Sequence, residues 1–177
     1  GTGVLQGCAA SRPGSAFSNA VSRALGRDVL NYGFSGQGQA DAAVGALLAE
    51  VDAAAFVVDC SPNLNATGVA AHVAPLVRAY RAARPGVPVV LAEGQAYGAA
   101  WYDAAVAAYA AARRAALRAV HDELLAEGVA GLHYVPSSRL LDVTPFWTPE
   151  VDGEHPDDWG HAQLAAAWTD VLRGVLG

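Results

Sequence analysis

Ala54-Ala55-Phe56-Val57-Val58-Asp59-Cys60-Ser61-Pro62-Asn63 is the stretch that decides the fold of this chain. Five apolar residues run without alternation from Ala54 to Val58, then stop at a carboxylate and a proline-containing turn. A strand with one face in water alternates apolar and polar side chains. An unbroken apolar run suits a strand covered on both faces, as strands of parallel sheets are. Val87 to Leu91 repeats the pattern and ends at Ala92-Glu93-Gly94, and Leu132 to Val135 gives another short run. Val29-Leu30-Asn31-Tyr32 reads as a further strand, stopping in the turn Gly33-Phe34-Ser35-Gly36-Gln37-Gly38.

Between these runs the apolar period becomes helical. Ser15 is expected to cap a helix with Phe17, Val21 and Leu25 on one face, closed by Gly26. Further helices are read at 40–50, 69–83, 101–127 and 158–176. Strands and helices alternating across short turns predict an α/β protein, a three-layer α/β/α sandwich on a flavodoxin-like parallel sheet. A length of 177 residues suits one domain with a full core, and no linker or repeat divides residues 1–177. In doubly wound sheets the first strand is usually central, yet this chain opens directly on a strand-to-helix loop. A first strand is therefore expected upstream of Gly1, and residues 1–177 are expected to be a fragment or an excised domain of a longer chain.

Composition removes several function classes. The net charge is −6, lysine is absent, and the only adjacent basic pair is Arg113-Arg114, so no nucleic-acid partner is expected. No apolar run reaches the roughly 18–20 residues of a membrane span, and no signal peptide is visible. The compartment is left open, with the cytoplasm favoured, and the oligomeric state is not readable. Cys8 and Cys60 are too few for a disulfide framework and read as half-buried free thiols. Gly33-x-x-Gly36-x-Gly38 lacks the dinucleotide fingerprint.

Four loops fall at the expected C-terminal ends of strands, where open α/β sheets bind ligands: Gly1–Gly7, Gly33–Gly38, Asp59–Asn63 and Asp152–His155. In the last, a carboxylate precedes a histidine by three residues. Such an aspartate can accept the imidazole Nδ1–H, fix the tautomer and leave Nε2 as a general base. A surface turn with an Asx-type cap is the plainer reading of the same residues. His155, His161 and Asp158 lack metal-site spacing, so no metal is expected.

Together the blocks resemble the SGNH (GDSL-type) hydrolase superfamily, in the branch whose first block reads roughly Gly-Thr-Ser-Ile-x-Gln-Gly followed by Cys-Ala-Ser-Arg-Pro-Gly. Here the chain has Gly1-Thr2-Gly3-Val4-Leu5-Gln6-Gly7 and then Cys8-Ala9-Ala10-Ser11-Arg12-Pro13-Gly14. The other blocks are Asn31–Gly38, Asp59–Asn63 and Asp152–Pro156, so the resemblance covers nearly the whole chain. It implies the SGNH hydrolase fold and a serine ester hydrolase acting on a small acyl ester, such as an O-acetyl group on a carbohydrate or related metabolite. It implies His155 as general base and Asp152 as its orienter. The backbone N–H groups of Gly3 and Gly36 and the side chain of Asn63 would hold the oxyanion. No cofactor is implied, and the implied partner is a small-molecule ester.

The departure lies at position 3. The family's nucleophilic serine is replaced by Gly3, which cannot form an acyl-enzyme. Thr2 is expected to point elsewhere, and Ser35 fails the G-x-S-x-G elbow at its last position. An inactive form made by deliberate Ser→Gly replacement is the favoured account. A naturally non-catalytic ligand-binding protein and an acyltransferase using the same pocket are the alternatives. Trp147 and Trp159, flanking the Asp152–His155 turn, are the aromatics expected to touch substrate. Asp59 and Glu93 are expected to be structural, binding Arg12 or capping a helix.

Overall fold

The computed structural model describes residues 1–177. Three parallel strands, β1 (Phe56–Val58), β2 (Val89–Ala92) and β3 (Leu132–Val135), lie in the order β1-β2-β3. Phe56 is in register with Val89, and Val89 with Leu132. Each strand pair is joined by a long crossover helix, α4 (Ala66–Ala83) from β1 to β2 and α5 (Ala104–Ala126) from β2 to β3. The first part of the chain holds α1 (Gly3–Gln6), α2 (Phe17–Leu25) and α3 (Ala42–Leu48), and α6 (Asp158–Leu176) closes it. No helix is long and apolar enough to cross a membrane.

The three layers follow from the pleat. Successive residues of β2 face opposite ways, so Val89 and Leu91 enter one core with Val73, Val77, Leu117 and Leu124 of α4 and α5. Val90 and Ala92 enter the other, with Val21 of α2 and Leu164 and Trp168 of α6. Both faces are covered, which is why these strands carry no polar alternation.

Two expectations are corrected. Val29–Tyr32 forms no strand and pairs with no neighbour in the sheet. Ser15 does not cap α2. It ends a tight turn over Pro13–Ser15, and the cap position falls to Ala16, whose side chain accepts nothing. The imidazole of His161 on α6 substitutes, taking the Phe17 N–H on Nδ1 at 3.3 Å. Elsewhere side-chain caps set the boundaries: Asp41 opens α3, Asn65 opens α4, and Asp103 delays the start of α5 to Ala104.

Candidate active site

The first three loops are stitched into one surface at the C-terminal end of the sheet. Gly1 places its amino group 2.9 Å from Tyr32 O, and its carbonyl accepts from Phe34 N at 3.0 Å. Gln6 Oε1 accepts the Ser35 N–H at 3.2 Å, and Asn31 Nδ2 donates to Leu5 O at 2.7 Å. A side chain at Gly38 would run into the Gly1 carbonyl, so the second loop can press on the first only with glycine there. Asn63, in the turn after β1, points Nδ2 at Phe34 O (3.2 Å) and Gly38 O (3.4 Å). Its amide hydrogens therefore rest on the carbonyls of the second loop.

Residue 3 stands at the start of α1, where first-turn N–H groups have no intrahelical acceptor. Gly36 is left-handed with φ of 69°, and its N–H meets no protein acceptor. Open space surrounds its would-be Cβ, so the backbone conformation, not crowding, calls for glycine here. Thr2 is buried, and its hydroxyl accepts the Leu5 N–H at 3.4 Å as the N-cap of α1. A Cβ built on Gly3 would lie 2.6 Å from Ser35 Oγ and 3.0 Å from Ser35 Cβ, so Ser35 occupies the room beside the bare α-carbon.

The Asp152–His155 turn is a closed loop. Val151 N donates to His155 O at 2.9 Å, and Glu150 bridges to Pro156. Asp152 Oδ2 accepts from His155 Nδ1 at 2.7 Å, while Oδ1 takes the N–H groups of His155 (2.8 Å) and Glu154 (3.0 Å). Partial burial alone would raise the Asp152 pKa. The His155 backbone, the His155 ring and the Glu154 N–H outweigh it and hold the carboxylate below its ordinary range. The side chain of His155 remains 37% exposed, which leaves its ring within reach of a ligand.

Residues with no signal in the sequence fix this loop to the segment after β2. Gln95 Nε2 donates to Glu154 O at 2.9 Å, Ala99 N to Gly153 O at 2.9 Å, and Gly98 N to Glu150 Oε2 at 2.8 Å. Gly98 and Ala99 act through backbone N–H groups and Gln95 is a lone polar side chain in an irregular stretch, so no pattern in the sequence marks them. A second set lies under the turn after β1. Arg113 is wholly buried, with its guanidinium 5.2 Å from the Tyr97 ring and 5.7 Å from the Tyr109 ring. Burial pushes Asp59 up to about 6 against the pull of the Gly1 amino group and Arg113, and its Oδ1 has no partner.

Neither Asp59 nor Glu93 holds Arg12. Glu93 instead accepts Tyr134 Oη at 2.6 Å and Ser137 N at 2.7 Å, anchoring the turn after β3. Trp147 and Trp159 are both largely exposed. Burial raises the Cys60 thiol to about 12, so it is no nucleophile at neutral pH. The two ring nitrogens of His161 are occupied by the Phe17 N–H and, at 3.0 Å, the Cys8 carbonyl.

A family model described as the GDSL-like Lipase/Acylhydrolase family matches residues 1–173. Among solved structures, a protein assigned as a GDSL-like lipase from Bacteroides ovatus is 27% identical, with a TM-score of 0.94 over 99% of this chain and 52% of its own. The salicylyl-acyltransferase SsfX3 from a tetracycline biosynthetic pathway is 19% identical, with a TM-score of 0.77 over 99% of this chain and 54% of its own. A carbohydrate acetylesterase family member from Sinorhizobium meliloti is 14% identical, with a TM-score of 0.62 over 99% of this chain and 96% of its own. The last two likenesses are of fold alone. This chain spans about half the length of the first two structures. No curated protein matches its sequence.

Proposed function

The chain belongs to the GDSL-like lipase/acylhydrolase family, and we propose that its loops form an acyl ester hydrolase centre that lacks the nucleophilic hydroxyl at residue 3. His155 is the general base, Asp152 orients it, and Gly3 N–H, Gly36 N–H and Asn63 Nδ2 receive the oxyanion. The observation that carries this reading is the Asp152–His155 pair at 2.7 Å, with the same carboxylate pinned by two backbone N–H groups. That arrangement puts the Nδ1 proton against the carboxylate and leaves Nε2 to accept a proton.

With a serine at residue 3, Nε2 takes the hydroxyl proton as Oγ attacks the ester carbonyl. The proton then passes to the departing alkoxide, and water attacks the acyl-enzyme by the same route in reverse. With Gly3 the only attacking group is water, activated directly by His155. Oxyanion donors and binding alone give about 10³–10⁴-fold over water in hydrolases stripped of a triad member. The proposed substrate is a small acyl ester such as an O-acetyl group on a carbohydrate. The exposed rings of Trp147 and Trp159, flanking the dyad loop in sequence, support it as faces on which a sugar can pack.

A specific observation favours a second reading, a ligand-binding protein that performs no hydrolysis. Ser35 fills the room that a side chain at residue 3 would need. The deciding variants are Gly3→Ser alone and combined with Ser35→Gly, which clears that room. The double variant is expected to raise kcat/KM on p-nitrophenyl acetate by about 10³-fold or more over the parent chain. Adding His155→Ala should abolish the gain. Folded variants that bind esters yet stay silent across an ester panel would establish the binding protein. Product diverted to an added alcohol would mark an acyltransferase.

A further inference from the structure

Arg113 is the largest fully buried side chain in the molecule, and it carries a charge. It makes no ion pair, and its Nε has no partner. Its hydrogen bond is a long one, from Nη1 to Pro62 O at 3.5 Å. A cation held in the interior without a bonded carboxylate costs stability, and an apolar side chain of similar length would fill the same space more cheaply. Stability therefore does not account for an arginine here.

Its neighbours do. Tyr109 and Arg113 lie one turn apart on α5, and both reach the turn after β1. Tyr109 Oη donates to Leu64 O at 3.1 Å, so a single helix holds the carbonyls on both sides of Asn63. The same guanidinium lies over the Tyr97 ring at 5.2 Å. Tyr97 leads directly into Gly98 and Ala99, whose N–H groups bond to Glu150 Oε2 and Gly153 O and so tie down the Asp152–His155 loop. Arg113 thus touches both the turn that carries Asn63 and the segment that holds His155.

We propose that Arg113 is a positioning residue of the ester centre, whose guanidinium sets Asn63, through the Pro62 carbonyl, at a fixed place relative to the His155 loop, through the Tyr97 ring. This rests on the ester-centre reading above. An oxyanion donor lowers a barrier only when it is already aimed at the place where charge develops. The side-chain contacts of Asn63, to Phe34 O and Gly38 O, are with the second loop alone. They orient its amide without setting its separation from the base. A flat guanidinium lying over the Tyr97 and Tyr109 rings is rigid enough to supply that spacing, which a flexible ammonium stem is not.

Arg113→Met tests this in two settings. In the parent chain the Asn63 side-chain amide is followed by 15N NMR, identified by the signal lost in Asn63→Ala. Its two hydrogens are expected to shift and to exchange with water about tenfold faster or more. In a chain carrying Gly3→Ser and Ser35→Gly, kcat on p-nitrophenyl acetate is expected to fall by about 10–100-fold with KM within about twofold. Arg113→Lys should fall nearly as far, because the planar fork and not the charge does the positioning, and it carries both measurements should the methionine variant fail to fold. Unchanged Asn63 signals, with or without a drop in Tm, overturn the proposal. So does a rise in KM with kcat preserved. Should the Gly3→Ser, Ser35→Gly chain itself be silent on esters, the ester reading fails, and the Asn63 signals of the parent chain alone decide whether Arg113 places that amide.

Discussion

Gly3 and Asn63 show how much chemistry can rest on single atoms. Asn63 Nδ2 lies 3.2 Å from Phe34 O and 3.4 Å from Gly38 O, so in the proposed oxyanion role it would turn one of its hydrogens from a resting partner. In a chain carrying Gly3→Ser and Ser35→Gly, Asn63→Ala is expected to lower kcat on p-nitrophenyl acetate by about 10²–10³-fold, with KM little changed. Asp59 gives a prediction in pH. Its folded-state pKa, about 6, exceeds its ordinary 3.8, so the folded chain holds this proton more tightly than the unfolded one. Its stabilising effect is complete below the unfolded value and disappears as pH rises to about 6. Asp59→Asn should therefore gain in Tm relative to the parent between pH 4 and pH 7, and an unchanged difference would contradict the assignment. Asp152 and His155 were legible from their spacing, since three residues in a turn suffice to bring the groups together. Arg113 was not, because nothing in an Ala-rich helix says which arginine will be buried beneath a turn fifty residues earlier.

Among the elements, the buried strands declared themselves and the caps did not. The unbroken run at Ala54–Val58 and the run at Val87–Leu91 reflect coverage on both faces, which the two cores supply. Val29–Tyr32 has strand-like composition, yet a ladder needs a partner that the sequence of the segment cannot provide. Ser15 had the right chemistry for a cap, but the Pro13–Ser15 turn carried it out of position and left the Phe17 N–H to an imidazole from the last helix. That substitution predicts the cost of changing His161. His161→Leu removes partners from the Phe17 N–H and the Cys8 carbonyl at once. Denaturant unfolding should show a loss of about 2–4 kcal/mol, since two polar groups at a buried site are left unpaired. A variant within about 0.5 kcal/mol of the parent would mean that the imidazole is a bystander.

At the scale of the molecule, the order of the four loops along the chain was readable, and so was the layered fold that gathers them. What joins the loops was hidden, because it consists of contacts spanning most of the chain: Ser11 N to Asp158 Oδ1 across 147 residues, and the Cys8 carbonyl to His161 across 153. The Asp152–His155 loop is held by Gln95 and Gly98, which belong to the segment after β2. These ties make the last helix a buckle. A protease cut or a stop codon that removes residues 158–177 would release the N-terminal turn from Asp158 and His161 and strip the core packed on Val90 and Ala92, while the ties from Gln95 and Gly98 to the Asp152–His155 loop would remain. Shortening at this terminus would therefore loosen the first loop and uncover one face of the sheet at the same time.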